Sequence, residues 1–211
     1  MENSVDETKT LNLDELTSMN IEMADTILQE LLPCLGEIPV LKIASTLGNA
    51  FKKYRESNLL IKLLKFSNEC SDITEEEIKE FNRKYIDGKE EKVGYLFIQI
   101  LDTLDRDEKA TIIGKLYKHC VKNKIELKIF LRLCKMVSQC FFEDLEDLKI
   151  FREREKIYDK NMLVDQEVLE SLNNIGFISG NGYDGGGFKQ EDEAGTEYIL
   201  NRYGKILLDI L

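Results

Sequence analysis

The chain has 211 residues, 43% of them hydrophobic, with only two prolines and no tryptophan, which is enough to bury one large core. Its 40 acids against 29 lysines and arginines give a formal net charge of −11, which repels nucleic-acid phosphates and anionic membranes at long range and argues against a general nucleic-acid coat. No apolar run reaches the ~18 residues of a membrane span and the N-terminus lacks the basic, apolar, small-residue order of a secretory signal, so the expectation is a folded cytoplasmic protein.

In chain order, residues 1–12 are polar without period and are expected to form a flexible tail. Asp14 is placed to cap a helix with the face Leu16, Ile21, Ala24, Ile27, Leu28 and Leu31, which Pro33 and Gly36 would stop. Pro39 opens a second helix to about Tyr54. Its apolar residues Val40, Ile43, Leu47 and Phe51 alternate with Ala44, Ser45, Gly48 and Ala50, small enough to let another helix approach. The following Leu59, Leu60, Ile61, Leu63, Leu64 and Phe66 are apolar nearly all round. Residues 39–66 also carry a run of lysines, so two readings stay open: core packing, which is the commoner fate of such a helix, or attachment to a membrane.

Thr74 and Glu77 have the spacing of a capping box, and a helix through Ile78, Phe81 and Tyr85 should follow, closed by Asp87-Gly88. Three helical stripes come next. The first is Val93, Leu96, Phe97, Ile100, Leu101 and Leu104, and the second is Ile113, Leu116, Tyr117, Cys120 and Val121. The third is Leu127, Phe130, Leu131, Cys134, Val137 and Phe141; Ile129, Leu133 and Met136 spread it to other faces, so it is expected to be the buried central helix. Phe142, Leu145, Leu148 and Phe151 continue into a charged segment ending near Tyr158.

After Asn161 the pattern changes. Val164, Val168, Leu169, Leu172 and Ile175 predict a short helix stopped at Gly176, then a strand at Phe177-Ile178, a glycine-rich loop Gly180–Gly187, a returning strand at Glu197–Leu200 and a helix over Arg202–Leu211. That order is half of a winged helix. From Asp159 onward ten acids face four bases, so a protein contact suits this lobe better than a DNA contact. The glycine loop lacks the Gly-Lys-Ser/Thr of a phosphate loop and reads as a wing tip offering Tyr183 and Phe188.

Basic charge concentrates elsewhere. Between Arg106 and Cys140 nine bases face three acids. Either this is a solvated face bridged to acids such as Glu75, Glu76, Glu77, Glu143, Asp144, Glu146 and Asp147, or Lys115, Lys118 and Lys122 dock an acidic partner or nucleic acid. His119, the only histidine, precedes Cys120, but adjacent helical residues point about 100° apart, so they do not make a nucleophile and base pair. Five cysteines (Cys34, Cys70, Cys120, Cys134, Cys140), with no Cys-x-x-Cys, fit reduced thiols on apolar faces, with no obligatory disulfide and no zinc.

The runs Ile38-Pro39-Val40, Lys53 to Phe66, Leu104 to Tyr117 and Phe141 to Leu148 resemble a group of helical proteins of Gram-positive bacteria and their prophages, over residues 38–210. The group has no established activity, so the resemblance implies a setting of phage–host conflict and transfers no functional residue. The expectation is thus a mostly α protein: a flexible tail (1–12), a helical bundle (13–158) and a small α+β winged-helix-like lobe (159–211). It would be a non-enzymatic adaptor or inhibitor that binds another protein and needs no cofactor, as monomer or homodimer. The rivals are a winged-helix regulator that binds DNA and a membrane-acting abortive-infection effector.

Overall fold

The computed structural model describes residues 49–86, 90–161, 163–182 and 195–211. The expected tail, the helix from Asp14, most of the helix from Pro39 and the Asp87-Gly88 stop lie outside them. The described residues are mostly helical: α1 (Asn49–Cys70), α2 (Glu75–Phe81), α3 (Glu90–Asp102), α4 (Glu108–Val121), α5 (Leu127–Gln139), α6 (Phe142–Asp147), α7 (Gln166–Ile175) and α8 (Arg202–Leu208). A small sheet is made of β1 (Lys156–Tyr158), β2 (Ile178–Asn181) and β3 (Glu197–Leu200). No helix among the described residues is long and apolar enough to cross a membrane.

The capping box starts α2 as its spacing requires. The Glu77 N–H donates to Thr74 Oγ1 and the Thr74 N–H to Glu77 Oε2, at 3.3 and 2.9 Å, so two N–H groups with no partner in the helix are satisfied reciprocally. A π-helical turn, Asn82–Ile86, follows.

The central helix is α4, where α5 was expected. Helix α4 has no exposed residue after Glu108: Ala110, Ile112, Ile113, Leu116, Tyr117, Cys120 and Val121 are buried and Thr111, Lys115, Lys118 and His119 half-buried, whereas α5 keeps Lys128, Arg132, Lys135 and Gln139 exposed along one side. Tyr117 gathers the aromatic core: its ring lies 5.0 Å from Phe97, 5.5 Å from Phe66 and Phe81 and 5.9 Å from Phe130, each such pair adding about 0.5–1.5 kcal/mol beyond the area it buries. Helix α1 runs against α4 at Gly114. A Cβ there would fall 2.7 Å from the Phe66 carbonyl oxygen and 2.8 Å from Glu69 Cβ. A glycine inside a helix costs about 1 kcal/mol relative to alanine, and here it permits contact between the two backbones. The small residues read for that purpose, Ala44, Ser45, Gly48 and Ala50, are outside what the structure describes of side chains.

Phe141 does not extend the α5 stripe. The helix ends at Gln139, the chain turns at Cys140, and Phe141 stands 68% exposed just before α6. Periodicity carries no information about where a helix stops, and no glycine or proline marks this corner.

The sheet has the order β1-β3-β2 with both pairs antiparallel, Ile157 facing Tyr198 and Ser179 facing Ile199. Strand β3 falls where the sequence places it; β2 starts at Ile178, inside the expected Phe177-Ile178 strand, but runs on through Gly180 and Asn181, read as the start of the glycine loop, and β1 replaces part of the charged segment read as leading to Tyr158. Three residues with one buried side chain, Ile157, are too few to show a period of two. Glu197 fastens all three strands. Its carboxylate accepts from Lys156 Nζ and Tyr158 OH, both at 2.9 Å, and from Asn181 Nδ2 at 3.3 Å. The Lys156 hydrogen bond, then those of Tyr158 and Asn181, hold its acidity at about 2, below the usual glutamate range.

Helix α7 ends at Gly176, whose φ of 95° is left-handed. Asn201 then caps α8, accepting from the Tyr203 and Gly204 N–H groups at 2.9 and 3.1 Å while its amide donates to the Gly176 carbonyl at 2.6 Å. Leu63 and Phe66 of α1, Leu172 of α7 and Leu207 and Ile210 at the far end belong to one buried cluster, so the core runs continuously past residue 158.

Candidate functional site

Cations along α4 are turned into the fold. Lys115 Nζ donates to the Ile210 carbonyl at 3.2 Å and so ties down the residues that follow α8. Lys118 and Lys122, one turn apart, grip the two carboxylate oxygens of Asp72 at 3.1 Å each. The Lys118 hydrogen bond, reinforced by Lys122, holds the Asp72 carboxyl below its usual range. Lys109 is 0% exposed, pairs with Asp105 at 2.6 Å and donates to the Cys140 carbonyl oxygen, fixing the corner where α5 ends. Burial alone would raise Asp105, but the hydrogen bond and charge of Lys109 outweigh it and lower its pKa. Arg106 pairs with Glu143 and its guanidinium lies over the Phe142 ring at 6.0 Å. Lys65 of α1 pairs with Asp107 at 2.7 Å. The cations are therefore neutralised mainly by Asp72, Asp105 and Asp107, and Glu143 alone of the acids named from the sequence takes part.

A different set of cations is left outward. Lys128, Arg132 and Lys135 are exposed on α5 at i, i+4 and i+7, a single stripe about 10 Å long, and Lys124 is exposed in the turn before it. The side chains of Lys124, Lys128 and Lys135 have no hydrogen bond or ion pair among the described residues. Arg132 is braced from α8: its Nη1 donates to Tyr203 OH at 3.0 Å and its guanidinium carbon lies 5.3 Å from the centre of the Tyr203 ring. Half-buried Leu127 and Leu131 border the stripe. The sequence contained the 128, 132, 135 spacing; what it did not contain was which lysines already have a partner.

Acidic side chains gather at α6 and α7. Asp165, Gln166, Glu167 and Glu170 line an open cleft beside α7. Asp144 is buried and accepts from Ser171 Oγ at 2.5 Å. Burial, followed by the charges of Asp144, Asp165 and Glu146, pushes the Asp147 carboxyl above its usual range. The exposed side of α7 carries Glu167, Glu170, Asn173 and Asn174 and no base.

His119 and Cys120 stay apart in role. His119 Nδ1 lies 3.0 Å from the Lys115 carbonyl, and Cys120 is buried among the core residues, where loss of hydration pushes its thiol up to about 12. Cys70, Cys134 and Cys140 are likewise free and buried, while Cys34 lies outside the described residues. Among the described residues no three His, Cys, Asp or Glu side chains come together in a way that could hold a metal ion. Tyr183 and Phe188, the expected wing contacts, lie outside the described residues. No family model, no curated protein and no solved structure matches the chain.

Proposed function

We propose that the protein is a non-catalytic adaptor or inhibitor that binds an acidic surface of another protein through the outer stripe of α5. The observation that carries this reading is the contrast in cation use: Lys109, Lys115, Lys118 and Lys122 each have a partner inside the fold, whereas Lys124, Lys128 and Lys135 are held outward without one. Unpaired lysines beside a stacked arginine and two half-buried leucines supply both the charge and the apolar edge of a protein contact. The setting proposed for this binding is the cytoplasm of a bacterial host, in phage–host conflict.

The strand order β1-β3-β2, with α7 between β1 and β2, supports reading the C-terminal part as winged-helix-like. In that reading α7 occupies the position of a recognition helix, and its carboxylates would repel a phosphate backbone, which favours protein contact over DNA contact.

The test is fluorescence anisotropy with labelled poly-glutamate and, separately, a labelled DNA duplex, on wild type and on Lys128→Glu/Lys135→Glu. Poly-glutamate binding that drops at least tenfold in the variant, with DNA bound more weakly throughout, is the expected result. Tighter binding of DNA at physiological salt would move the regulator reading to the front. Lys115, Lys118 and Lys122 are poor positions for this test, because changing them removes ties within the fold.

A further inference from the structure

The chain contains an acidic segment suited to the α5 stripe. Residues 1–37 hold nine carboxylates (Glu2, Asp6, Glu7, Asp14, Glu15, Glu22, Asp25, Glu30, Glu37) and one base, Lys9. This is the largest excess of negative charge carried by any segment outside the described residues. We propose that this segment covers Lys128, Arg132 and Lys135 of the same molecule and competes with the acidic partner for them; the inference rests on the docking reading above.

Three observations support that occupant. The charges are complementary, eight net negative charges facing a stripe whose lysines have no counter-charge among the described residues. The spacing matches: Glu15 and Glu22 are seven residues apart in a stretch whose sequence predicts a helix, as are Lys128 and Lys135 on α5, and seven residues of any helix rise about 10.5 Å. Reach is not limiting, since the 34 steps from Glu15 to Asn49, with helices where the sequence predicts them, still span up to about 65 Å, several times the ~17 Å radius expected of a chain this size.

A tethered competitor acts at an effective concentration near the millimolar range, so even weak ion pairs reduce binding of an outside ligand severalfold. The experiment is zero-length carbodiimide coupling of the full chain at low salt, followed by mass spectrometry of the monomer band. Amide bonds from Lys128 or Lys135 to acids within residues 1–37, absent in 0.5 M salt, are expected. Coupling only between two molecules, only to acids of residues 49–211, or not at all overturns the proposal. A second arm measures poly-glutamate affinity of Glu15→Gln/Glu22→Gln/Asp25→Asn, expected to rise about fivefold over wild type. Equal affinity of variant and wild type overturns the covering while leaving the docking reading standing; failure of both to bind, with coupling to residues 1–37 present, overturns the docking reading alone.

Discussion

Helices α4 and α5 adjoin in sequence and carry similar numbers of cations, but α4 turns its lysines toward Asp72, Asp105 and the carbonyls of Cys140 and Ile210, while α5 turns Lys128 and Lys135 to solvent. The difference follows from position. Helix α4 has α1 on one side and α5 on another, so a long side chain leaving it meets backbone carbonyls and carboxylates; α5 has one open side. A count of bases along a sequence sums two populations, those that hold the fold and those offered to a partner.

That contrast makes substitutions on the two helices behave differently. The largest effect is expected for Lys109→Ala, which leaves the Cys140 carbonyl without its donor and opens space in the core. About 3 kcal/mol, or a fall in Tm of roughly 6–10 °C by calorimetry, is the expected cost. Gly114→Ala comes next. Its methyl would meet the Phe66 carbonyl and Glu69 Cβ, and separating α1 from α4 outweighs the gain in helix propensity, for a net loss of about 1–2 kcal/mol in urea denaturation.

Asp72→Asn should cost less than about 1 kcal/mol, since the carboxylate is more than half exposed and solvent screens its two lysines. Its pH dependence has a definite sign. Because Asp72 is more acidic in the folded chain than in the unfolded one, its contribution is complete above about pH 4 and fades as pH falls through the lowered folded value. The difference in Tm between wild type and variant should therefore shrink toward zero on acidification. Smallest of all is Lys128→Ala/Lys135→Ala, expected to change Tm by less than about 1 °C while weakening poly-glutamate binding. A large loss of stability in that variant would erase the distinction between the two helices.

Local signals made part of this legible from sequence. The Thr74/Glu77 box, the stop at Gly176, strand β3 and the start of β2 are each written in residues close to the elements they set. What escaped depends on distant partners. Strand β1 is three residues that become a strand by pairing with β3 some forty residues later. The centrality of α4 depends on α1 packing over Gly114, and the end of α5 on Lys109 reaching the Cys140 carbonyl from 31 residues upstream. The candidate site was half visible: the 128, 132, 135 spacing is in the sequence, but the lysines singled out were Lys115, Lys118 and Lys122, whose partners Ile210 and Asp72 lie 95, 46 and 50 residues away along the chain.

The far end of the chain bears on the order in which the molecule is made. Leu207, Leu208 and Ile210 are buried in the shared core, the Leu208 carbonyl accepts from Arg152 Nη2 at 3.2 Å, and Lys115 holds the Ile210 carbonyl. Helices α1 to α5 find their main partners among themselves and have all been synthesised by residue 139, but the buried cluster they share also takes in Leu207, Leu208 and Ile210, and α8 packs against residues 148–152 and β3, so that part of the cluster is completed only when residues 207–210 leave the ribosome. During translation the helical part thus waits with part of its apolar surface uncovered for a closing piece made some seventy residues later.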